Sequence, residues 1–334
     1  MTMPSGATWI GAHLGLNHPI AACCICAVIG VPAYFIGTSE VGTPTIVLTL
    51  DDATTSQYVH GLSIAEEFGI TGTLYVPTQR VLEQGEERGY FMTATDVKEF
   101  QDAGWEIGSH TLIHENLLEV GPAAALETMK GSDFQLRSMI GDVDQMTFSY
   151  PYGAFDDVTE ALAETVYSYS VNAWSAANGL NVPATFEEHN IHRFDIFDQE
   201  AAEAACEVMA SLDEHQTYVV IVHEIVEEDP ADWQMSTETY RYLLTCIEDA
   251  VDNGAVTKTV LEAANDLRIL RDYGDPVMKS EEEVEVESVA EIPQEIAESP
   301  FVTVVPLDET TDVVVQTITP TVRPVARPVD TSDE

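Results

Sequence analysis

Thr45-Ile46-Val47-Leu48-Thr49-Leu50-Asp51-Asp52 (TIVLTLDD) is an apolar, β-branched run that stops abruptly at two carboxylates. The run reads as a strand, and the acids mark its C-terminal end. Further strand-like runs follow at Thr73–Val76, 105–107, 146–150, 167–172, 191–194 and 218–222. Helical stretches lie between several of them, at 56–68, 94–103, Pro122–Ile140, 156–164, 199–212 and 237–253. Each offers an apolar stripe at helical spacing, such as Leu62, Ala65 and Phe68. Gly69, Gly104, Gly141 and Gly254 stand just past four of these helices as stop signals. Alternating strands and helices over 44–274 predict one α/β domain with a parallel sheet, either a barrel or doubly wound.

Both flanks differ from this body. Residues 1–43 form an apolar N-terminal segment, and the first charged side chain is Glu40. Its core, 20–37, is long enough as a helix to approach the thickness of a bilayer. It is expected to be a signal sequence or a membrane anchor, which places the protein outside the cytoplasm or facing outward. No Lys or Arg flanks the run, so a buried leading segment is the alternative. Residues 275–334 hold 15 acidic against 3 basic residues and 7 of the chain's 16 prolines. That composition predicts a disordered acidic tail, with the valine pairs leaving room for strands added to a partner's sheet.

The whole chain of 334 residues carries 13 Lys+Arg against 58 Asp+Glu, a formal net charge of −45. Such a balance excludes nucleic acid as a partner, because counterion release needs clusters of Lys and Arg. It suits a surface that stays hydrated in high salt, or simply an acidic protein at ordinary ionic strength. The tail contributes −12, so most of the charge belongs to the α/β body. Of the five cysteines, only Cys206 and Cys246 lie in the body; they form one disulfide or remain two buried thiols.

In parallel α/β folds the chemistry gathers at the C-terminal ends of the strands. Four strand ends carry polar groups suited to it. Adjacent Asp51 and Asp52 repel one another, a cost that a metal would relieve, with one acid as ligand and the other as base. An N-cap for the helix after Ala53 is the simpler reading. His110 and His114, in SHTLIH, share one face of a helical turn and suit a single metal. Together with one Asp they make three protein ligands and an open position, the pattern of a catalytic site. Pro151 and Gly153, in YPYG, shape a turn that can aim the Tyr152 N–H into the site. His223 closes the run 218–222 with Glu224 beside it, placed to act as a general acid.

In order and context these four segments resemble the polysaccharide deacetylase family with the NodB homology domain, carbohydrate esterase family 4. LTLDDA resembles its Asp-Asp motif, SHTLIH its two-histidine motif, YPYG its Pro-Tyr-Gly motif and VIVHE its closing hydrophobic-His motif. The resemblance implies a distorted (β/α) barrel and metal-dependent hydrolysis of an amide. By that likeness Asp52, His110 and His114 hold a divalent metal, commonly Zn2+, and Asp51 is the general base. The Tyr152 N–H, in the turn opened by Pro151, stabilises the oxyanion; His223 protonates the leaving amine; Thr111 braces the histidine loop. Many members carry an Arg in the third motif where Ser149 stands here, and Arg193 is the candidate replacement, a surface salt bridge being its simpler role. The family's acidic-and-Trp pair is not evident: Asp232-Trp233 falls after His223 and reads as loop, and His189 and His192 read as surface residues. The expected activity is removal of N-acetyl groups from a neutral amino-sugar polymer. The alternatives are an amidase on a small amide, or a glycan-binding protein without catalysis.

Overall fold

All six residues of β1 (Thr45–Leu50) are buried, as a strand in a helix-covered parallel sheet requires. In the computed structural model, which describes residues 41–173 and 178–274 and three short strands of the tail, β1 is the centre of the sheet. The chain then alternates. A π-helical segment (Gln57–Leu62) continues into α1 (Ser63–Phe68), followed by β2 (Thr73–Val76), α2 (Thr78–Gln84), α3 (Ala94–Asp102) and β3 (Glu106–Ser109). Next come α4 (Leu117–Val120), α5 (Pro122–Ile140), β4 (Thr147–Ser149), α6 (Asp157–Glu164) and β5 (Tyr169–Val171). After β6 (Leu180–Asn181) and β7 (Phe194–Asp195) lie α7 (Gln199–Met209), β8 (Thr217–Val222), β9 (Glu224–Val226) and β10 (Gln234–Ser236). The domain ends with α8 (Thr237–Asp252), β11 (Val256–Thr257) and α9 (Val260–Tyr273).

The main sheet runs β5-β4-β3-β2-β1-β8 with every neighbouring pair parallel. Its two edges meet through one stretch of chain. Ile191 bridges Val171 of β5, and β7 pairs in parallel with Val220–Ile221 of β8. The sheet therefore curls into a distorted (β/α) barrel, the closed one of the two arrangements that the alternation allowed. Parity along β1 sorts its side chains. Ile46, Leu48 and Leu50 join the large core under the helices, whereas Val47 belongs to a second core with Tyr75, Tyr169, Val171 and Val219. Asp51 continues the inward series of Val47 and Thr49.

The barrel interior is crowded. A Cβ on Gly108 would stand 2.4 Å from the Tyr75 ring, so only glycine there leaves room for that side chain. The N-terminus of α9 closes the lower end: Val260 N–H donates to Thr73 Oγ1 and Leu261 N–H to half-buried Glu106. Neither α2 nor α9 was singled out by periodicity. The four glycines expected to end helices do so, each with a positive φ. Cys206 and Cys246 form a disulfide between α7 and α8, settling the choice that the sequence left open.

Three short strands are described within the tail. Val284–Val286 (β12), Val302–Pro306 (β13) and Val313–Thr317 (β14) pair as an antiparallel sheet in the order β12-β14-β13. Valine-rich runs favour strands, and here they pair with one another within the chain. Among the described residues no helix is long and apolar enough to cross a membrane. The run at 20–37, expected as an anchor, lies outside the described residues.

Candidate active site

The inward series of β1 delivers Asp51 to the C-terminal mouth of the barrel, where it is almost fully buried. Arg193, just before β7, meets it head on: Nη1 donates to Oδ1 at 2.7 Å and Nη2 to Oδ2 at 2.9 Å. Ser149, at the end of β4, donates its hydroxyl to Oδ2 at 2.7 Å and accepts from Arg193 Nη2 at 2.8 Å. Arg193 is only 1% exposed and also binds Thr49 Oγ1 and the Asn172 carbonyl, so it is no surface salt bridge. Burial by itself raises the Asp51 pKa, but Arg193 first and His110 second hold the carboxyl well below the ordinary range.

Asp52 leaves the strand with a φ of 81° and turns to the other side, toward the histidine loop. It is not an N-cap. Its Oδ1 lies 3.2 Å from His114 Nε2 and 3.5 Å from His110 Nε2. One donor atom from each of Asp52, His110 and His114 lies within 4.8 Å of the others. The histidines do not share a helical turn as their spacing suggested. They are carried by a non-helical turn with positive φ at Thr111 and His114. Thr111 Oγ1 accepts the N–H of His114 at 3.0 Å and of Glu115 at 3.2 Å, which fixes that turn. The His110 Nδ1 bonds the Ser149 carbonyl at 2.7 Å, leaving Nε2 toward Asp52.

These residues fit a divalent metal. Two imidazoles and a carboxylate are a zinc-type donor set with open positions, and the Ser149 carbonyl supplies the second partner that orients a ligating histidine. Burial, followed by repulsion from His110, lowers the His114 pKa to about 4, so its ring is neutral and ready to ligate at neutral pH. The Tyr152 ring packs edge-on against His114, with centroids 4.4 Å apart. Pro151 opens the turn, and Tyr152 itself takes a φ of 61°. Of eight non-glycine residues with positive φ among those described, five are Asp52, Ala53, Thr111, His114 and Tyr152. Strained backbone concentrates where function demands a particular aim.

Residues 38–169 match the family model described as polysaccharide deacetylase. That match covers less than half of the chain. The Streptococcus pyogenes deacetylase PplD, solved in complex with acetate, is 25% identical with a TM-score of 0.39, over 45% of this chain and 63% of that one. The chain thus aligns with less than two thirds of that protein. A CE4 family pseudoenzyme from Bacillus anthracis is 16% identical with a TM-score of 0.45, over 68% of this chain and 67% of that one. The Xyl-CE4 domain of a multidomain xylanase from the hindgut metagenome of Trinervitermes trinervoides is 16% identical with a TM-score of 0.45, over 66% and 90%. A search of curated proteins finds no match.

The matched segment holds Asp51, Asp52, His110, His114, Ser149 and Tyr152. Arg193 and His223 lie beyond it and reach the same mouth from β7 and β8. His223 is paired differently than its sequence neighbour suggested. Its Nδ1 stands 3.3 Å from Asp195 Oδ1, while Glu224 accepts from Tyr90 and, at 2.8 Å, from Gln234. Burial by itself lowers the His223 pKa, but Asp195 and, after it, Asp52 and Asp51 raise it to about 9. Asp195 is thus the acidic partner missing from the sequence reading. Arg193, just before β7, and Asp195, within it, stand two residues apart, and both reach the barrel mouth through their contacts with Asp51 and His223. Asp232 and exposed Trp233 lie in a turn. His189 and His192 are half-buried rather than surface residues, bonded to Ser170 and Asn172.

Proposed function

We propose that this chain is a metal-dependent hydrolase that removes N-acetyl groups from an amino-sugar polysaccharide. The observation that carries the reading is the convergence of Asp52, His110 and His114 on one point, flanked by an ionised Asp51 and by His223 paired with Asp195. A divalent cation held by Asp52, His110 and His114, zinc by the donor set, supplies Lewis acidity toward the acyl oxygen and lowers the pKa of water toward ~7.

The other steps fall to the chain's own groups. Asp51 Oδ2, 3.8 Å from His110 Nε2, faces the site and accepts the proton of the attacking water. Arg193 and Ser149 hold that carboxylate in one orientation, so none of the attack is spent on aligning the base. The Tyr152 N–H, aimed by its left-handed backbone, donates to the oxygen that gains charge. His223, kept protonated at neutral pH by Asp195, gives its proton to the departing amine nitrogen. With Nδ1 turned to Asp195, Nε2 is the atom that delivers it.

The chain's charge of −45 repels polyanions, which favours a neutral N-acetylated glycan as substrate. The Cys206–Cys246 disulfide supports a location outside the cytoplasm, where such bonds persist. Metal analysis and acetate release from chitin oligomers test the reading together. One equivalent of bound metal and release that disappears in Asp51→Asn are the expected results. No bound metal, or unchanged release in that variant, would overturn it. Activity on small amides alone would instead favour an amidase.

A further inference from the structure

A buried amide with no place in the chemistry above lies just past Asp52. Gln57 opens the π-helical segment and is completely buried. Its Nε2 donates to the Asp51 carbonyl at 2.6 Å and to the His223 carbonyl at 2.7 Å. Its Oε1 accepts the Thr54 N–H at 2.9 Å. A primary amide has two donors, and here both are spent on the ends of two adjacent strands. The β1–β8 ladder itself stops at Leu50↔Val222. One residue further on, where the strands must part to leave room for a substrate, Gln57 supplies the hydrogen bonds to both chains.

Neighbouring contacts hold Gln57 in that position. Ile225 N–H donates to Ser56 Oγ at 3.3 Å, tying the segment to β9. A Cβ on Gly61 would stand 2.9 Å from Ile225 Cδ1, so glycine there lets the π-helical turn press against β9. Such turns are uncommon and occur mostly at functional sites.

We propose that Gln57 is a positioning residue that sets the distance between Asp51 and His223. The inference rests on the base and acid roles proposed for those two residues. Without the amide, two buried carbonyls and the Thr54 N–H lose their partner. The two strand ends are then free to shift against each other. A displacement of about 1 Å between reacting groups can cost on the order of 100-fold in rate.

The test uses the full zinc-loaded chain with Gln57→Glu and Gln57→Leu. Glutamate keeps the acceptor for Thr54 but sets an oxygen against the carbonyls of Asp51 and His223. In both variants kcat for acetate release falls about 10- to 100-fold while KM stays within about twofold, and zinc binding is kept. Hydrogen exchange at the Thr54 amide speeds up in Gln57→Leu but not in Gln57→Glu. A folded, zinc-binding Gln57→Glu with unchanged kcat overturns the proposal, and so does a kcat loss matched by loss of zinc. If the unsubstituted chain releases no acetate, the proposed function fails instead. The tie is then judged by a crystal structure of Gln57→Leu, where an unchanged Asp51–His223 separation overturns it.

Discussion

Arg193 grips both carboxylate oxygens of Asp51 from 142 residues further along the chain. The pair is almost fully buried, so each charge depends on the other. Arg193→Met leaves a buried carboxylate without its counter-charge, a change that costs roughly 3–5 kcal/mol in comparable pairs. Urea unfolding should show that loss, and kcat should fall at least about 100-fold as the base loses its alignment. Arg193→Lys keeps the charge but not the two-pronged grip, and should fall between the two. Because the Asp51 pKa is held below its ordinary value, its contribution to stability is present at neutral pH and is lost as the solution falls below about 4. Wild-type kcat in Arg193→Met would refute the assigned role.

The His223–Asp195 pair has the opposite sign. With the imidazole raised to about 9, the favourable contribution is complete below the unfolded value of about 6.5 and is lost as pH rises through 9. NMR titration of the metal-free protein should find the His223 imidazole near 9. In Asp195→Asn that value should drop toward 6.5, and the alkaline limb of the rate profile should move down with it. An unshifted titration in Asp195→Asn would show that the neighbouring carboxylates Asp51 and Asp52, not Asp195, keep the ring protonated.

Much of the barrel was legible because β1, β8 and the strands between them are apolar runs that end at polar residues. Asp51, Asp52, His110, His114 and His223 were legible for the same reason: each ends a strand or stands in the loop just after one. Closure of the barrel was not. It depends on Ile191 and the two-residue strand β7, too short to show a period. Asp195 was hidden with that strand, and the adjacent Glu224 offered a nearer acid to pair with His223. Gln57 was invisible because its importance lies wholly in what it touches. A helical glutamine has no pattern that distinguishes a buried tie from a solvated side chain.

Zinc should stabilise the folded chain, since a ligand that binds only the native state adds RT ln(1 + [L]/Kd), about 2.7 kcal/mol at a hundredfold excess over Kd. Thermal melts with and without zinc should separate for the natural sequence and for Asp51→Asn. They should coincide for His110→Ala/His114→Ala, which keeps only Asp52 of the proposed ligand set. A zinc-dependent melt in that double variant would place the metal elsewhere.

The disulfide between α7 and α8 joins residues 40 apart in sequence. Closing a loop of that length in the unfolded chain is worth about 4 kcal/mol on a chain-entropy basis, and measured values for single bridges run at roughly 2–4. Cys206→Ser/Cys246→Ser should therefore lower the urea midpoint, and a reductant should lower it only in the natural chain. Neither helix supplies a residue to the barrel mouth. At temperatures where the variant is still folded, its kcat should thus match that of the natural chain. A kcat that falls with the bridge, in protein still folded by circular dichroism, would mean that α7 and α8 act on the site through β8, which α7 packs against.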